Sequence, residues 1–428
     1  MVVATALSVP AYAKKVKLTP EERASAIPKL VENRPTALGL DMFWGLGSDT
    51  RKPVGPFTFD SEEFSSTSPK MTLTDANGVK WRVKLRNASN NSDKTPAEVV
   101  SNKIMWSMNF MANEFYFVKN EPNQQITIPG GVASLQNNVE TGEPSRIKRV
   151  LTVDTKEPTL FYFDHASFRR EYLKNELDAK EDILDKNGNP TVNKAGKKIK
   201  VSPTWSFGSQ ELPFYESNEY ALMKILTVMQ NDWDTMDKNN EVIYLDAAGG
   251  VEAYYMIHDI GRTFGHSEIY PAPGIGTWLN RLEDQVNLKS DLTSWIASDY
   301  AQTRFIKGMQ DGPRGKQIVF YYQDNPQHDH HIRDELRSVD LDLAYRAAVK
   351  MGEWSDSQLK DAFWSGEVTT RSAMEHAIAL SQIKSPSVAQ KPAVDEAKRE
   401  ADEVERFTKT FENKINELRQ TVGLSKLF

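Results

Sequence analysis

The segment from residue 53 to residue 110 constrains the fold of this 428-residue chain more than any other. In PKMTLTDANGVKWRVKL two β-rich runs flank Asp75-Ala76-Asn77-Gly78, and the Asn-Gly pair supplies the positive φ that a tight hairpin turn needs. Alternation in the second run puts Val79, Trp81, Val83 and Leu85 on one face and Lys80, Arg82 and Lys84 on the other. PFTF precedes the hairpin as a further strand signal. TPAEVVSNKIMWSMNFM follows it, with Thr95 placed as N-cap, Pro96 at the first helical position, and Val99, Lys103, Trp106 and Phe110 at helical spacing. NEFYFV then reads as a short strand.

Farther along, residues 178–203 are rich in Asn, Gly and Lys and read as an exposed insertion with tight turns. DKNGN within it has part of a calcium-loop pattern, but Pro190 stands where that loop requires glycine, which favours a solvated hairpin. A helix is expected from Glu216 through ESNEYALMKILTVMQ, then NDWDTMDKNN, then the strands EVIYL and EAYYMIHD joined at Gly249-Gly250. Helical runs are expected over 278–288, 290–303, 329–350 and 356–380. After the linker KSPSVAQKP comes a charged helix, 393–421, with Val404, Phe407, Phe411, Ile415 and Leu418 at three- and four-residue spacing. It either packs back onto the body or offers a face to a partner.

Strands first and helices later, with a polar turn between, indicate an α+β chain of two unequal lobes around a cleft. The expected divisions are a small strand-rich N-lobe at 40–177, the insertion at 178–203, a mostly helical C-lobe at 204–385, and the linker and last helix at 386–428. Residues 1–13 end in Ala11-Tyr12-Ala13, the small-x-small pattern of a signal-peptidase site, although no basic stretch precedes them. The expectation is an exported protein, periplasmic or secreted. No stretch approaches the roughly 20 apolar residues of a membrane span. Fifty-three basic against 59 acidic residues give a net charge of -6 and no polycationic face, which disfavours nucleic acid as a partner. The absence of cysteine leaves oxygen and nitrogen groups to do any chemistry.

NDWDTMDKNN concentrates carboxylates and amides in one turn. Asp234 precedes Asn239 by five residues, and Asp259 precedes Ile260-Gly261 one hairpin later. Phosphoryl transfer needs such a set, because its transition state asks for positioned metal ions and an aligned hydroxyl. An aspartate can accept the proton while an asparagine and a second aspartate hold the metal, and a strand lysine paired with a helix glutamate, here Lys84 and Glu98, orients the phosphates. Each residue also has a plainer reading. Thr95-x-x-Glu98 is itself a capping box, Lys84 lies on an outward-looking cationic face, and Asp and Asn are ordinary turn formers. Asp232 is an alternative base, with Asp237 then the metal ligand.

On WRVKL, PAEVVSNKI, NDWDTMDKNN and IHDIGRTFG the chain resembles the kinase-like superfamily in its atypical branches: the secreted Golgi-type kinases, lipid kinases and HipA-type kinases. It is also similar to a family of exported bacterial proteins that share a strand pair, an N-x-W-D loop and a late helix, which in this chain read SPKMTLTDANGVKWRVK, NDWDTMDKNN and WSDSQLKDAF. The resemblance implies a bilobal protein-kinase-like fold with ATP and magnesium, or manganese, bound between the lobes. Asp234 is then the base, Lys84 and Glu98 the phosphate anchor, and Asn239 and Asp259 the metal ligands. There is no G-x-G-x-x-G; SSTSPK would cover the phosphates instead, through Ser66, Thr67, Ser68 and Lys70. The acceptor is an unspecified protein, lipid or glycan. Two other functions compete: a catalytically inactive kinase-like scaffold, and a metal-dependent hydrolase built on the Asp-rich loop. His328 and His331 open a helix with no third metal ligand apparent, while His258 and His266 either line the cleft or are structural.

Overall fold

The hairpin predicted at 69–86 sits at the centre of an eight-stranded sheet, and the computed structural model shows what fixes its turn. Asp75 Oδ1 accepts from the backbone N–H of Asn77 and of Val79, both at 2.9 Å, and its Oδ2 accepts from Trp81 Nε1 at 3.0 Å. Gly78 takes φ 76°. The structure describes residues 16–34, 39–64, 68–86, 94–119, 124–138, 142, 144–171, 173, 175–193, 196, 198–232, 239–258, 260, 263–267, 288–290, 305–322 and 334–428.

A short helix α1 (Pro20–Ser25) precedes the sheet, whose strands are β1 (Phe57–Glu63), β2 (Lys70–Thr74), β3 (Lys80–Leu85), β4 (Phe115–Lys119), β5 (Ile126–Thr127), β6 (Thr152–Val153), β7 (Leu160–Tyr162) and β8 (His165–Arg170). Their spatial order is β4-β8-β3-β2-β1-β5-β7-β6, antiparallel except where β1 meets β5. One face buries Phe57, Met71, Leu73, Trp81, Val83 and Phe168 in a core of its own. Against the other lies α2 (Lys94–Ser107), whose Val99 packs with Phe115 and Phe117.

The insertion forms the pair β9 (Glu181–Asp182) and β10 (Lys200–Val201). Asp185 Oδ1 accepts from the N–H groups of Asn187 and Asn189 at 2.8 and 2.9 Å, so DKNGN is a self-capped turn and not a calcium loop. Next comes α3 (Asn218–Met229), N-capped by Ser217 and buried continuously from Tyr220 to Met229. β11 (Asn240–Ala247) and β12 (Gly250–Ile257) follow as one antiparallel hairpin. The short pair β13 (Gly265–Ser267) and β14 (Leu288–Ser290) precedes a three-stranded sheet of β15 (Ile306–Gly312), β16 (Gly315–Phe320) and β17 (Ser338–Asp340). Helices α4 (Leu341–Met351), α5 (Asp356–Trp364), α6 (Arg371–Ser381) and α7 (Lys391–Thr421) complete the chain. Among the described residues no helix is long and apolar enough to cross a membrane.

Several expectations are corrected. α2 begins at Lys94, so Thr95 and Pro96 lie inside it and Thr95 is not its N-cap. The run 329–350 is interrupted by β17, because Ser338–Asp340 finds an edge of β16 to pair with. The run 356–380 is two helices separated at 365–370, where a Cβ on Gly366 would stand 2.9 Å from Val100 Cγ2. Residues 288–290 are strand; 278–287 and 291–303 lie outside the described residues. The hairpin β15–β16 was not foreseen, since glycines and charges obscure its alternation. The C-terminal helix lays Val404, Phe407, Phe411, Ile415 and Leu418 into the main core beside Phe363, which leaves no apolar stripe on 393–421 for a partner.

Two outcomes follow for α7. Phe411→Ala should lower stability by about 3–5 kcal/mol, read as a lower urea midpoint at unchanged slope; a docking helix would tolerate the change. Lys414 donates to the Met229 carbonyl at 3.1 Å from beneath the same face, and burial pulls its pKa from 10.5 to about 7 while Glu417 works against that shift. Between about pH 7 and 10.5 the unfolded chain therefore holds a proton that the folded chain does not, and this contribution to stability grows as pH rises. Urea midpoints at pH 7, 8 and 9 should climb less steeply in Lys414→Met than in the wild type.

Candidate functional site

Along β3 exposure falls from Lys80, which is exposed, through Arg82 to Lys84, which is buried because α2 lies under the end of the strand. Lys84 Nζ donates to Glu98 Oε1 at 2.7 Å, with side-chain exposures of 9% and 7%. Ser167 Oγ, on β8 directly opposite Lys84, donates to Glu98 Oε2 at 2.9 Å. Both carboxylate oxygens are thus engaged across three elements. Neither plain reading survives: Lys84 is not solvated, and Glu98 is not turned back to cap its own helix. Pairing is obligatory here, since removing one partner would leave a desolvated charge.

Hydrogen bonds lead from this pair to the Asn-rich turn. Asn102, one helical turn beyond Glu98, donates its Nδ2 to the Glu98 carbonyl at 2.8 Å and accepts on Oδ1 from Asn113 N at 3.1 Å. Asn113 Nδ2 donates to the His258 carbonyl at 3.2 Å, and His258 N donates to the Asn239 carbonyl at 2.7 Å. Asn239 and the residue before Asp259 therefore stand side by side at the open end of the β11–β12 hairpin, tied to α2. The His258 ring lies between Arg169, on β8, and Glu241, whose Oε2 is 3.2 Å from Nδ1. Burial raises the Glu241 pKa against the opposing pull of Arg169 and Arg82. From the other side Thr263 Oγ1 reaches the Ala97 carbonyl at 3.4 Å, and Ser101 Oγ donates to Gln230 Oε1.

The phosphate-covering candidates divide. Lys70 is the cross-strand partner of Lys84, Ser68 is buried just before it, and Leu85 N donates to the Pro69 carbonyl at 3.0 Å. The β1–β2 connection thus arrives at the Lys84 end of the sheet. Ser66 and Thr67 lie outside the described residues, as do Asp234, Asp237, Asp259, His328 and His331. Asp232 is buried, and its carbonyl accepts from Tyr322 O–H at 2.6 Å. Among the described residues no three His, Asp or Glu side chains gather at metal-binding spacing. Asn239 is the described member of the proposed metal set. Sequence reasoning missed Ser167, Asn102, Asn113 and Arg169. Nothing local in HASFRR marks its pairing with β3, whereas Arg82 was legible as sharing a face with Lys84.

No family model and no curated protein matches the chain. Among solved structures it is similar to a Helicobacter pylori proinflammatory kinase, CtkA, at 10% identity over 84% of this chain and 97% of that one, with TM-score 0.30. A Golgi casein kinase matches at 9% identity over 93% and 86%, TM-score 0.29, and the Golgi casein kinase with Mn/ADP bound at 11% over 90% and 81%, TM-score 0.30. Likeness at this level carries no weight by itself. The chain's own geometry sets a strand lysine bonded to a glutamate of the helix that follows it, with that helix hydrogen-bonded through Asn113 and His258 to the hairpin end at Asn239.

The energetics of the pair can be tested. Glu98→Ala should cost about 3–5 kcal/mol, because Lys84 stays buried without its partner, whereas Lys84→Met with Glu98→Leu should be neutral or stabilising by about 1–4 kcal/mol. Urea denaturation of the three variants decides whether stability or function explains the ion pair.

Proposed function

We propose that this chain is a kinase-like phosphotransferase that moves the terminal phosphoryl group of ATP to a hydroxyl of a protein, lipid or glycan acceptor. The observation that carries the reading is the buried Lys84–Glu98 bond, locked by Ser167 and hydrogen-bonded through α2 to the hairpin end at Asn239. A buried ion pair is a weak device for stability, and its position suits a cation that meets phosphate oxygens.

The roles follow from chemistry. Lys84 holds the phosphate chain, and Glu98 and Ser167 hold Lys84. Ser66, Thr67, Ser68 and Lys70 close over the phosphates from the β1–β2 connection. The acceptor oxygen attacks the terminal phosphorus in line as the bond to the bridging oxygen breaks. ADP leaves, and the acceptor's proton passes to Asp234, with Asp232 the alternative base. Asn239 and Asp259 offer the oxygen donors that magnesium or manganese prefers, and such an ion would neutralise charge on the phosphates. The Ala11-Tyr12-Ala13 pattern supports a reaction outside the cytosol, with residues 40–177 as the small lobe, 178–203 as the insertion, 204–385 as the large lobe and 386–428 as the closing segment.

A second reading, a catalytically inactive kinase-like scaffold, is favoured by one feature: residues 64–69, FSSTSP, contain no glycine to let backbone amides approach phosphate closely. Calorimetry separates the two. ATP should bind the wild type only when magnesium or manganese is present, and Lys84→Met and Asp259→Asn should each weaken that binding at least tenfold, about 1.4 kcal/mol. Folded proteins that show no nucleotide binding at all would leave the scaffold.

A further inference from the structure

Phe264 has a backbone conformation at odds with its side chain. It lies in the left-handed region, at φ 55°, where a bulky residue rarely stands. Of the five described non-glycine residues with positive φ, three are asparagines, for which the region is ordinary, and Glu216 is exposed; Phe264 is fully buried. Two partners hold it there. Its ring sits in the main core, 6.3 Å from the Phe363 ring of α5, and its N–H donates to the Gln230 carbonyl just past the end of α3. Rotation about the N–Cα bond swings the ring relative to the N–H, so keeping both partners fixes φ where it is.

The bond to Gln230 joins the two segments that bear the proposed chemistry. Gln230 directly precedes Asn231, itself at φ 47°, where the chain turns into NDWDTMDKNN. Phe264 closes the stretch that begins at His258 and contains Asp259. Within that stretch Ile260 and Thr263 are buried, and Thr263 Oγ1 donates to the Ile260 carbonyl at 2.9 Å, with the Ala97 carbonyl 3.4 Å away. Ala97 is the neighbour of Glu98 on α2. Gln230 accepts on Oε1 from Ser101 Oγ and approaches Met105 Sδ with Nε2 at 3.7 Å, so the same junction meets α2 at two further points. Asp259 thus stands between two anchored residues: His258, whose N–H donates to the Asn239 carbonyl, and Ile260, whose carbonyl is bonded to Thr263.

We propose that Phe264 is a positioning residue for the divalent-ion segment: its left-handed backbone, held by the buried ring, fixes the chain that leaves Asp259 against the end of α3 and, through Thr263, against the helix that carries Glu98. The inference rests on the phosphotransferase reading and adds a residue to its metal-binding half. Backbone strain persists where the surroundings over-determine it, and such residues gather at functional sites. Phe264 touches neither nucleotide nor ion and acts through Asp259.

ATP is titrated calorimetrically into the full chain over a series of magnesium concentrations, in the wild type and in Phe264→Leu, Phe264→Ile and Thr263→Val, after thermal unfolding has shown which variants fold. Leucine and isoleucine remove the same ring and have the same volume, but the β-branch of isoleucine is the worse tolerated in the left-handed region. Phe264→Ile and Thr263→Val should each raise the magnesium concentration for half-maximal ATP binding by about tenfold or more, as for the loss of a group that orients a metal ligand. Phe264→Leu should stay close to the wild type. If neither Phe264 variant folds, Thr263→Val decides, since valine keeps the shape of threonine and lacks its hydroxyl. A lower melting temperature with an unmoved magnesium midpoint in Phe264→Ile and Thr263→Val, or equal shifts in Phe264→Leu and Phe264→Ile, overturns this inference and leaves the phosphotransferase standing. A wild type that binds no ATP at any magnesium concentration overturns both.

Discussion

One ion pair organises the N-terminal half of this molecule. Lys84 is buried at the end of β3 where Glu98 meets it, and Glu98 can accept two donors only if α2 lies at one height and one rotation against the sheet. Ser167 fixes the second oxygen from β8, so the geometry depends on strands separated from the helix by some 70 residues. A surface ion pair worth a fraction of a kcal/mol could not impose this. A desolvated pair can, because every displacement of the helix exposes an uncompensated charge to a low-dielectric interior.

The far side of α2 is held as firmly. Lys103 donates to the Phe43 carbonyl and stands 5.7 Å from the centre of the Phe43 ring, and a Cβ on Gly45, which holds φ 60°, would stand 3.0 Å from Lys103 Cγ. Gln358 on α5 donates to the Leu40 carbonyl at 3.1 Å, Arg371 on α6 binds Asp41 at 2.6 Å, and Trp354 Nε1 donates to Ser107 Oγ at 2.9 Å. Helices from the C-terminal end thus grip the helix that carries Glu98. α7 matters to the site for the same reason: its buried stripe supports α5 and α6, and Glu400 pairs with Lys119 at the end of β4. The last helix is part of the frame that holds α2.

What could be read from sequence was local. The hairpin at Asp75–Gly78, the helix after it, α3, and the β11–β12 pair follow from turn chemistry and periodicity within a few residues. Lys84 could not be placed from its strand alone, since alternation assigns it to the face of Lys80 and Arg82, and only a helix arriving from elsewhere decides that it is buried. The same holds for β17, whose three residues are strand because β16 offers an edge. Of the proposed site, Lys84, Glu98, Lys70 and Ser68 have described positions at one end of the sheet, and Asn239 is joined to α2 through His258 and Asn113; Asp234, Asp259, Ser66 and Thr67 rest on sequence spacing. Arg169 belongs to the same surroundings and was invisible, because a register between strands 80 residues apart leaves no trace in either segment.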